Sequence, residues 1–207
     1  MYLYFVRHGE TDDNADNIHQ TETSQLSQHG LRQAEFLAQR CQKLPIELIV
    51  SSHFKRTQQT AEIIAEQLGK AVVYNELFKE IKRPSVIEGL RNDNPEAVAV
   101  KELQDQHGHE SAWHYSDEEN FHDVARRCQA ALNFLEQQPA EHILIVTHGI
   151  VIRMIICDLL LADALTFDFF KRIRSFFRHK NTGITIIEKN ASGRWQLITW
   201  NDHAHLG

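Results

Sequence analysis

The feature that most constrains the fold is a regular alternation of short apolar segments with longer amphipathic ones. The short segments are rich in branched and aromatic residues and end abruptly at polar residues, which is typical of buried β-strands. They span residues 2–6, 47–51, 71–74 and 143–147. Between them, apolar residues recur at helical spacing, as in residues 31–41 and 61–68. Strands that alternate with helices predict a mainly parallel sheet with helices on both faces, a three-layer α/β/α sandwich.

Two helices are predicted in the second half of the chain. Ser116 and Glu119 have the spacing of a capping box, which predicts a helix that begins near Ser116 and stops before Pro139. Residues 150–162 form the most apolar run, but two charged residues interrupt it. Because this run is also too short to span a bilayer, it predicts a core helix.

The remaining segments complete the predicted domain. Residues 183–188 and 194–200 are joined by a polar turn and predict an antiparallel hairpin at the end of the chain. Residues 82–115 break the alternation, with prolines, glycines and one helical segment at 95–106. We therefore predict a single domain over residues 1–207, with an insertion at about 82–115 near the mouth of the pocket, where specificity commonly varies.

Charge and composition restrict the partners. The net charge of −6 argues weakly against a general nucleic-acid binder. The first strand begins almost at the first residue, with no basic stretch or long apolar segment before it, so we expect a cytoplasmic protein with no membrane partner. No feature of the sequence specifies an oligomeric state.

Cysteines and histidines do not form a metal-binding pattern. The three cysteines are far apart along the chain and none belongs to a CxxC pair, so we expect buried, reduced thiols: Cys41, Cys128 and Cys157. Four histidines cluster loosely in the second half, but no carboxylate or cysteine is spaced to complete a site with them: His107, His109, His114 and His122. We expect no metal site and no organic cofactor.

Polar residues follow three of the predicted strands. Arg7 and His8 end the first strand, Ser52 follows the second, and Thr147 and His148 follow the fourth. In parallel sheets, ligands bind beyond the carboxyl ends of the strands, so these residues are expected to converge on one pocket.

These residue types suit the chemistry of a phosphate ester. Such a ligand needs positive donors around it, a nucleophile in line with the leaving oxygen, and a proton for that oxygen. Arg7 and Arg56 can offer forked guanidinium donors to phosphoryl oxygens, and Asn14 can add another donor. His8, with one unprotonated ring nitrogen, can attack phosphorus and form a phosphohistidine.

The order of the motifs resembles that of the histidine phosphatase superfamily, also called the phosphoglycerate-mutase-like family. The resemblance extends over nearly the whole chain and rests on six blocks: residues 7–11 (RHGET) with Asn14, residues 26–30 (LSQHG) with Gln33 and Ala34, residues 51–61 (SSHFKRTQQTA), residues 77–80 (LFKE), residues 146–149 (VTHG) and residues 181–183 (NTG).

The resemblance implies a metal-independent phosphomonoesterase of the phosphatase branch that acts on a small phosphorylated metabolite. Under it, His8 is the nucleophile, while Arg7, Arg56 and His148 hold the phosphoryl group. Glu80 is the general acid that protonates the leaving oxygen and then activates water, with Glu76 as the competing carboxylate. The chain departs from the family pattern after Glu80, where residues 81–85 lack the Gly-x-Trp-Glu-Gly sequence of many relatives.

Two alternatives stay open. A phosphoglycerate-mutase-type isomerase uses the same phosphohistidine, but its relatives tend to carry a tryptophan-rich segment after the first block, and residues 11–25 contain no tryptophan. A non-catalytic phosphate-binding or interaction module would agree with the unusual segment after Glu80. Residues 171–180 are strongly basic, which is typical of a solvated helix face or of a segment that attracts an anionic ligand over the pocket.

Overall fold

Six β-strands form one sheet in the computed structural model, which describes residues 1–207. The strands are β1 (Tyr2–Arg7), β2 (Leu48–Ser51), β3 (Val72–Tyr74), β4 (His142–Thr147), β5 (Ile184–Lys189) and β6 (Trp195–Asp202). Their order across the sheet is β3-β2-β4-β1-β5-β6. The first four strands are parallel to one another, whereas β5 is antiparallel to β1 and β6 is antiparallel to β5. The mainly parallel sheet and its antiparallel C-terminal hairpin are therefore confirmed.

Seven α-helices connect and cover these strands. They are α1 (Asp12–Ala15), α2 (Gln28–Cys41), α3 (Lys55–Leu68), α4 (Pro95–His107), α5 (Phe121–Glu136), α6 (Gly149–Leu161) and α7 (Phe167–Phe176). The apolar run at 150–162 thus forms the buried helix α6, as predicted. No helix is both long enough and apolar enough to cross a membrane.

Alternating side chains of β1 divide the core between the two faces of the sheet. Leu3 and Phe5 pack in a cluster of 20 buried residues that includes Val124 of α5. Tyr4 and Val6 point the opposite way, into a cluster of 13 that includes residues of α2 and α3. A fully buried aliphatic side chain contributes roughly 1.5–3 kcal/mol, so both faces stabilise the sheet. The three-layer α/β/α sandwich is confirmed.

The start of α5 differs from the prediction. The helix begins at Phe121, and Asn120 is its N-cap: its side chain accepts the backbone N–H groups of His122 and Asp123, while Asp123 accepts the N–H of Asn120. The capping box therefore lies four residues after the predicted one at Ser116. Glu119 is unavailable to such a box because its carboxylate binds Arg127.

The sheet register brings the predicted strand ends together. Arg7 lies opposite Thr147, and Ser51 lies opposite Val146. Because β2, β4 and β1 are neighbours, the residues that follow them meet at one edge of the sheet. The three cysteines are elsewhere, buried in the helices as free thiols.

Candidate active site

His8 is fixed by the last hydrogen bonds of β1. Its backbone N–H donates to the carbonyl of Thr147 at 3.0 Å, and its side chain is buried. The ring Nδ1 lies 2.7 Å from the carbonyl oxygen of Gly9. Since a carbonyl only accepts, Nδ1 carries the proton and Nε2 keeps its lone pair. That lone pair faces the guanidinium of Arg56, whose Nε lies 3.3 Å away.

The surroundings of His8 keep it neutral. Burial lowers the pKa of His8 well below its ordinary value of 6.5, and the positive charges of Arg56 and Arg7 lower it further. An uncharged ring with a free Nε2 is the form that can attack an electrophile.

Arg56 connects three parts of the site. It is the second residue of α3 and is 1% exposed. Besides its contact with His8, it donates to the carbonyl of Thr21 at 2.7 Å and to Nδ1 of His148 at 3.3 Å. Burial lowers the pKa of Arg56 to about 10, which still leaves it charged at neutral pH.

His148 lies where β4 passes into α6, as the N-cap residue of that helix. Its Nδ1 accepts from Arg56, so its Nε2 carries the proton and donates to the hydroxyl of Ser52 at 3.0 Å. Burial and the charge of Arg56 lower the pKa of His148 well below 6.5. In this arrangement His148 orients the guanidinium of Arg56 beside the His8 ring.

Arg7 and Asn14 border the same cavity from the side of β1. Arg7 donates to the carbonyl of His179 at 2.7 Å, which ties it to the segment before β5. The side-chain oxygen of Asn14 accepts from Asn181 at 3.3 Å, and Asn181 also donates to the carbonyl of His8 at 3.0 Å.

The two competing carboxylates lie in different places. Glu80 lines the cavity with His8, and its carboxylate accepts the backbone N–H of Ile81 at 3.0 Å and that of Ile150 at 3.4 Å. Ile150 belongs to the first turn of α6, where the helix dipole favours a negative group. Glu76 is exposed and does not border the cavity.

The cavity measures about 490 Å³, and five of the six predicted site residues line it. The sixth, His148, lies behind Arg56 and binds it. Residues from the 82–115 segment line it, including Arg83 and Lys101. From the basic stretch, Lys171 and Arg174 line it as well, whereas Arg172 is exposed elsewhere on α7.

Two of the four clustered histidines are paired with single carboxylates. His107 lies 2.8 Å from Glu110 and His114 lies 2.6 Å from Asp123. No group of three or more histidine, cysteine or acidic residues is placed to hold a metal ion.

Sequence reasoning missed several residues of the site. Ser52 was expected at the edge of the sheet with the other strand-end residues but without a role; its hydroxyl accepts the N–H of Phe54 and anchors His148. Arg153 lies on the cavity wall, and the signal for it was a lone arginine in the apolar run of α6. Arg83 and Arg174 had no periodicity or spacing that marked them.

Comparison with known proteins places this arrangement in a family. A family model described as the histidine phosphatase superfamily (branch 1) matches residues 3–203. A probable phosphoglycerate mutase of Yersinia pestis is 35% identical over 215 aligned residues, which cover 100% of this chain and 95% of the relative.

Solved structures have the same fold. A phosphoserine phosphatase mutant of Entamoeba histolytica in complex with phosphoserine is 26% identical, with a TM-score of 0.79 and coverage of 100% of this chain and 99% of that one. A mycobacterial glucosyl-3-phosphoglycerate phosphatase is 25% identical, also with a TM-score of 0.79, and covers 97% of this chain and 98% of its own.

Proposed function

The chain belongs to the histidine phosphatase superfamily (branch 1), and on this premise we propose that it hydrolyses phosphate monoesters through a phosphohistidine on His8. One observation carries the proposal. Nδ1 of His8 is bound to a backbone carbonyl, so Nε2 is unprotonated, and this nitrogen accepts from Nε–H of the buried Arg56 at the wall of the cavity.

In the first step, the lone pair of His8 Nε2 attacks phosphorus, and the bond from phosphorus to the leaving oxygen breaks. Arg7 and Arg56 stabilise the charge on the phosphoryl oxygens, and the protonated form of Glu80 gives its proton to the leaving oxygen. In the second step, Glu80 takes a proton from water, the hydroxide attacks phosphorus, and the bond to Nε2 breaks. Phosphate and neutral His8 result.

This assignment needs no metal ion, because guanidinium groups carry out the charge stabilisation that magnesium supplies in other phosphoryl-transfer sites. Glu80 is favoured over Glu76 as the acid because only Glu80 borders the cavity. The cavity volume of about 490 Å³ is in the range of small-molecule pockets, which favours a phosphorylated metabolite as substrate.

A mutase is the second candidate, since the relative from Yersinia pestis is named a probable phosphoglycerate mutase. It would use the same phospho-His8 but return the phosphoryl group to the substrate instead of to water. A non-catalytic phosphate-binding or interaction module is less favoured, because the Glu80 carboxylate lines the same cavity as His8.

The deciding assay is phosphate release from p-nitrophenyl phosphate by wild type, His8→Ala, Glu80→Gln and Glu76→Gln, each with and without a chelator. We expect His8→Ala to lose at least about a thousandfold in kcat/KM. Glu80→Gln should lose roughly a hundredfold, within the usual range for general acid–base catalysis, while Glu76→Gln and the chelator have no effect.

A different pattern would point elsewhere. Equal losses in the two carboxylate variants would remove Glu80 from its role, and chelator-sensitive turnover would contradict the metal-independent mechanism. Interconversion of phosphoglycerates with a bisphosphorylated primer, in excess over phosphate release, would favour the mutase.

A further inference from the structure

Arg83 and Arg174 are two of the seven cationic side chains of the cavity that have no role in the two steps described above. Arg83 follows Glu80 by three positions, in the segment that departs from the family pattern. Arg174 belongs to α7, in the basic stretch. Both line the cavity that contains His8 and Glu80. The irregular segment after Glu80 and the basic stretch therefore meet at the same cavity.

Neither guanidinium has a partner. The side chains of Arg83 and Arg174 are partly buried, yet neither makes a hydrogen bond or an ion pair with another residue. Neighbouring cations do: Lys171 pairs with Asp105 at 2.8 Å, and Lys82 pairs with Asp117 at 3.0 Å. None of their side-chain nitrogens is both buried and unpartnered, so these guanidinium donors are open to the cavity and available to an anionic ligand.

The charges of the two arginines act on each other and on groups of the same cavity. Burial lowers the pKa of Arg83, the carboxylate of Glu80 raises it, and the charge of Arg174 lowers it. Burial lowers the pKa of Arg56 to about 10, and the charge of Arg83 adds a smaller lowering. Both arginines line the cavity that also contains Glu80.

The charge balance of the cavity leaves room for a second anion. Nine lysines and arginines line it against six acidic residues, although the whole chain has 22 basic and 28 acidic residues. Five of the nine are arginines: Arg7, Arg56, Arg83, Arg153 and Arg174. The lining therefore has an excess of three positive charges, so one remains unbalanced after a phosphate dianion has bound.

We propose that Arg83 and Arg174 bind a second anionic group, a carboxylate or a second phosphate, on the leaving group of the substrate. This proposal depends on the proposed function, because that reaction defines which part of the substrate is the leaving group. Forked guanidinium donors suit both anions. In this role the two arginines determine the specificity for the substrate. Esters with neutral leaving groups are therefore predicted to be poor ligands.

The test is equilibrium binding, measured by titration calorimetry on the His8→Ala protein so that no ligand is consumed. 3-Phosphoglycerate and glycerol 3-phosphate differ only in a carboxylate against a hydroxymethyl group. Fructose 1,6-bisphosphate against fructose 6-phosphate tests a second phosphate in the same way. We expect at least one pair to show a preference of about tenfold or more for the additional anion, as one charge-assisted bidentate contact provides.

Arginine variants locate the preference. Adding Arg83→Gln or Arg174→Gln to His8→Ala should reduce the affinity ratio to below about threefold, and Arg83→Lys should retain part of it. Arg172→Gln is the matched control, because Arg172 lies on α7 but does not border the cavity. Its ratio should stay at the His8→Ala value.

A ratio near one for both ligand pairs, or an undiminished ratio in both glutamine variants, would overturn the proposal. A variant that loses both members of a pair equally keeps its ratio and also counts against it. Phosphate release by the wild type, measured with p-nitrophenyl phosphate and with the better-bound member of each ligand pair, separates the two ideas. Turnover without any preference refutes only the second anion site, whereas a preference without turnover refutes only the hydrolase assignment.

Discussion

His8 owes its expected reactivity to one backbone contact. Its Nδ1 is 2.7 Å from the Gly9 carbonyl, which determines which nitrogen carries the proton, and the unprotonated Nε2 accepts from Nε–H of Arg56 at 3.3 Å. A histidine at the end of a strand is common. It is the combination of a fixed tautomer, burial and two nearby guanidinium groups that distinguishes this one.

The protonation state of His8 can be tested directly. Because burial and the arginine charges lower its pKa well below 6.5, we expect a neutral ring with the proton on Nδ1 from pH 8 down to pH 6. Ring ¹⁵N shifts, assigned by comparison with His8→Ala, would report this state. A doubly protonated ring at pH 6 would contradict the account.

Ser52 is predicted to act through His148. Removing its hydroxyl in Ser52→Ala leaves Nε2–H of His148 without its acceptor, so the guanidinium of Arg56 is held less well. We expect kcat/KM for p-nitrophenyl phosphate to fall by roughly tenfold, equivalent to about 1.4 kcal/mol, with partial rescue in Ser52→Thr. Ser51→Ala is the control, since its hydroxyl contacts only the Ser52 carbonyl. Equal losses in both variants would indicate general damage.

Residues that follow predicted strands could be placed from the sequence, because parallel strand ends must meet at one edge. His8 and His148 were found in this way. Arg83 and Arg174 could not be, since their position depends on how an irregular segment and α7 fold over the cavity. That packing is tertiary and leaves no periodic signal.

Among the elements, the start of α5 provides a test of capping. Asn120→Ala should lower the free energy of unfolding by about 1–2 kcal/mol, because two N–H groups of the first turn lose their acceptor. Ser116→Ala should change it by less than about 0.5 kcal/mol, since its hydroxyl lies outside the helix and is exposed. Urea unfolding of both variants measures the difference. Equal losses of stability would contradict Asn120 as the N-cap and would favour the cap predicted at Ser116.

The loop after β1 and the first turn of α2 touch through their backbones. A Cβ on Gly30 would lie 2.0 Å from the carbonyl oxygen of Glu10, and one on Gly9 would lie 2.6 Å from that of Gly30. Gly30→Ala should therefore displace the loop that carries His8, lowering both stability and activity, whereas the exposed neighbour His29→Ala should change neither. Thermal unfolding and p-nitrophenyl phosphate hydrolysis are the two readouts; a normal Gly30→Ala protein would show that this contact is dispensable.

Two helices of the second half were predicted to within a few residues. The helix predicted at 95–106 is observed as Pro95–His107, and the apolar run at 150–162 as Gly149–Leu161. The start of α5 was displaced because residues 120–123, directly after the predicted box, have the same cap spacing. Glu119 binds Arg127 instead, and this tertiary contact has no signal in the sequence.

For the whole molecule, buried neutral histidines predict acid sensitivity. Burial lowers the pKa of His179 to about 3, against an ordinary value of 6.5. A histidine whose folded pKa is depressed binds fewer protons when folded, so its contribution is complete above pH 6.5 and is lost as the pH falls toward 3. Between pH 7 and pH 4.5 this one group should reduce the free energy of unfolding by roughly 2–3 kcal/mol.

His179→Gln should remove that part of the pH dependence. Urea unfolding at pH 7 and pH 4.5 would measure it, with the exposed His109→Gln as the matched control that keeps the wild-type difference. If His179→Gln and the wild type lose the same stability on acidification, His179 is not the group responsible.

The central claim is a covalent phosphoryl group on His8, and trapping it is the most direct test. Wild type and His8→Ala would be mixed with p-nitrophenyl phosphate, quenched in alkali and mapped by peptide mass spectrometry, with ³¹P and ¹⁵N spectra to identify the nitrogen. The account predicts phosphate on Nε2 of His8, because Nδ1 is bound to Gly9, and none in His8→Ala. Phosphate on another residue, or on Nδ1, would contradict it.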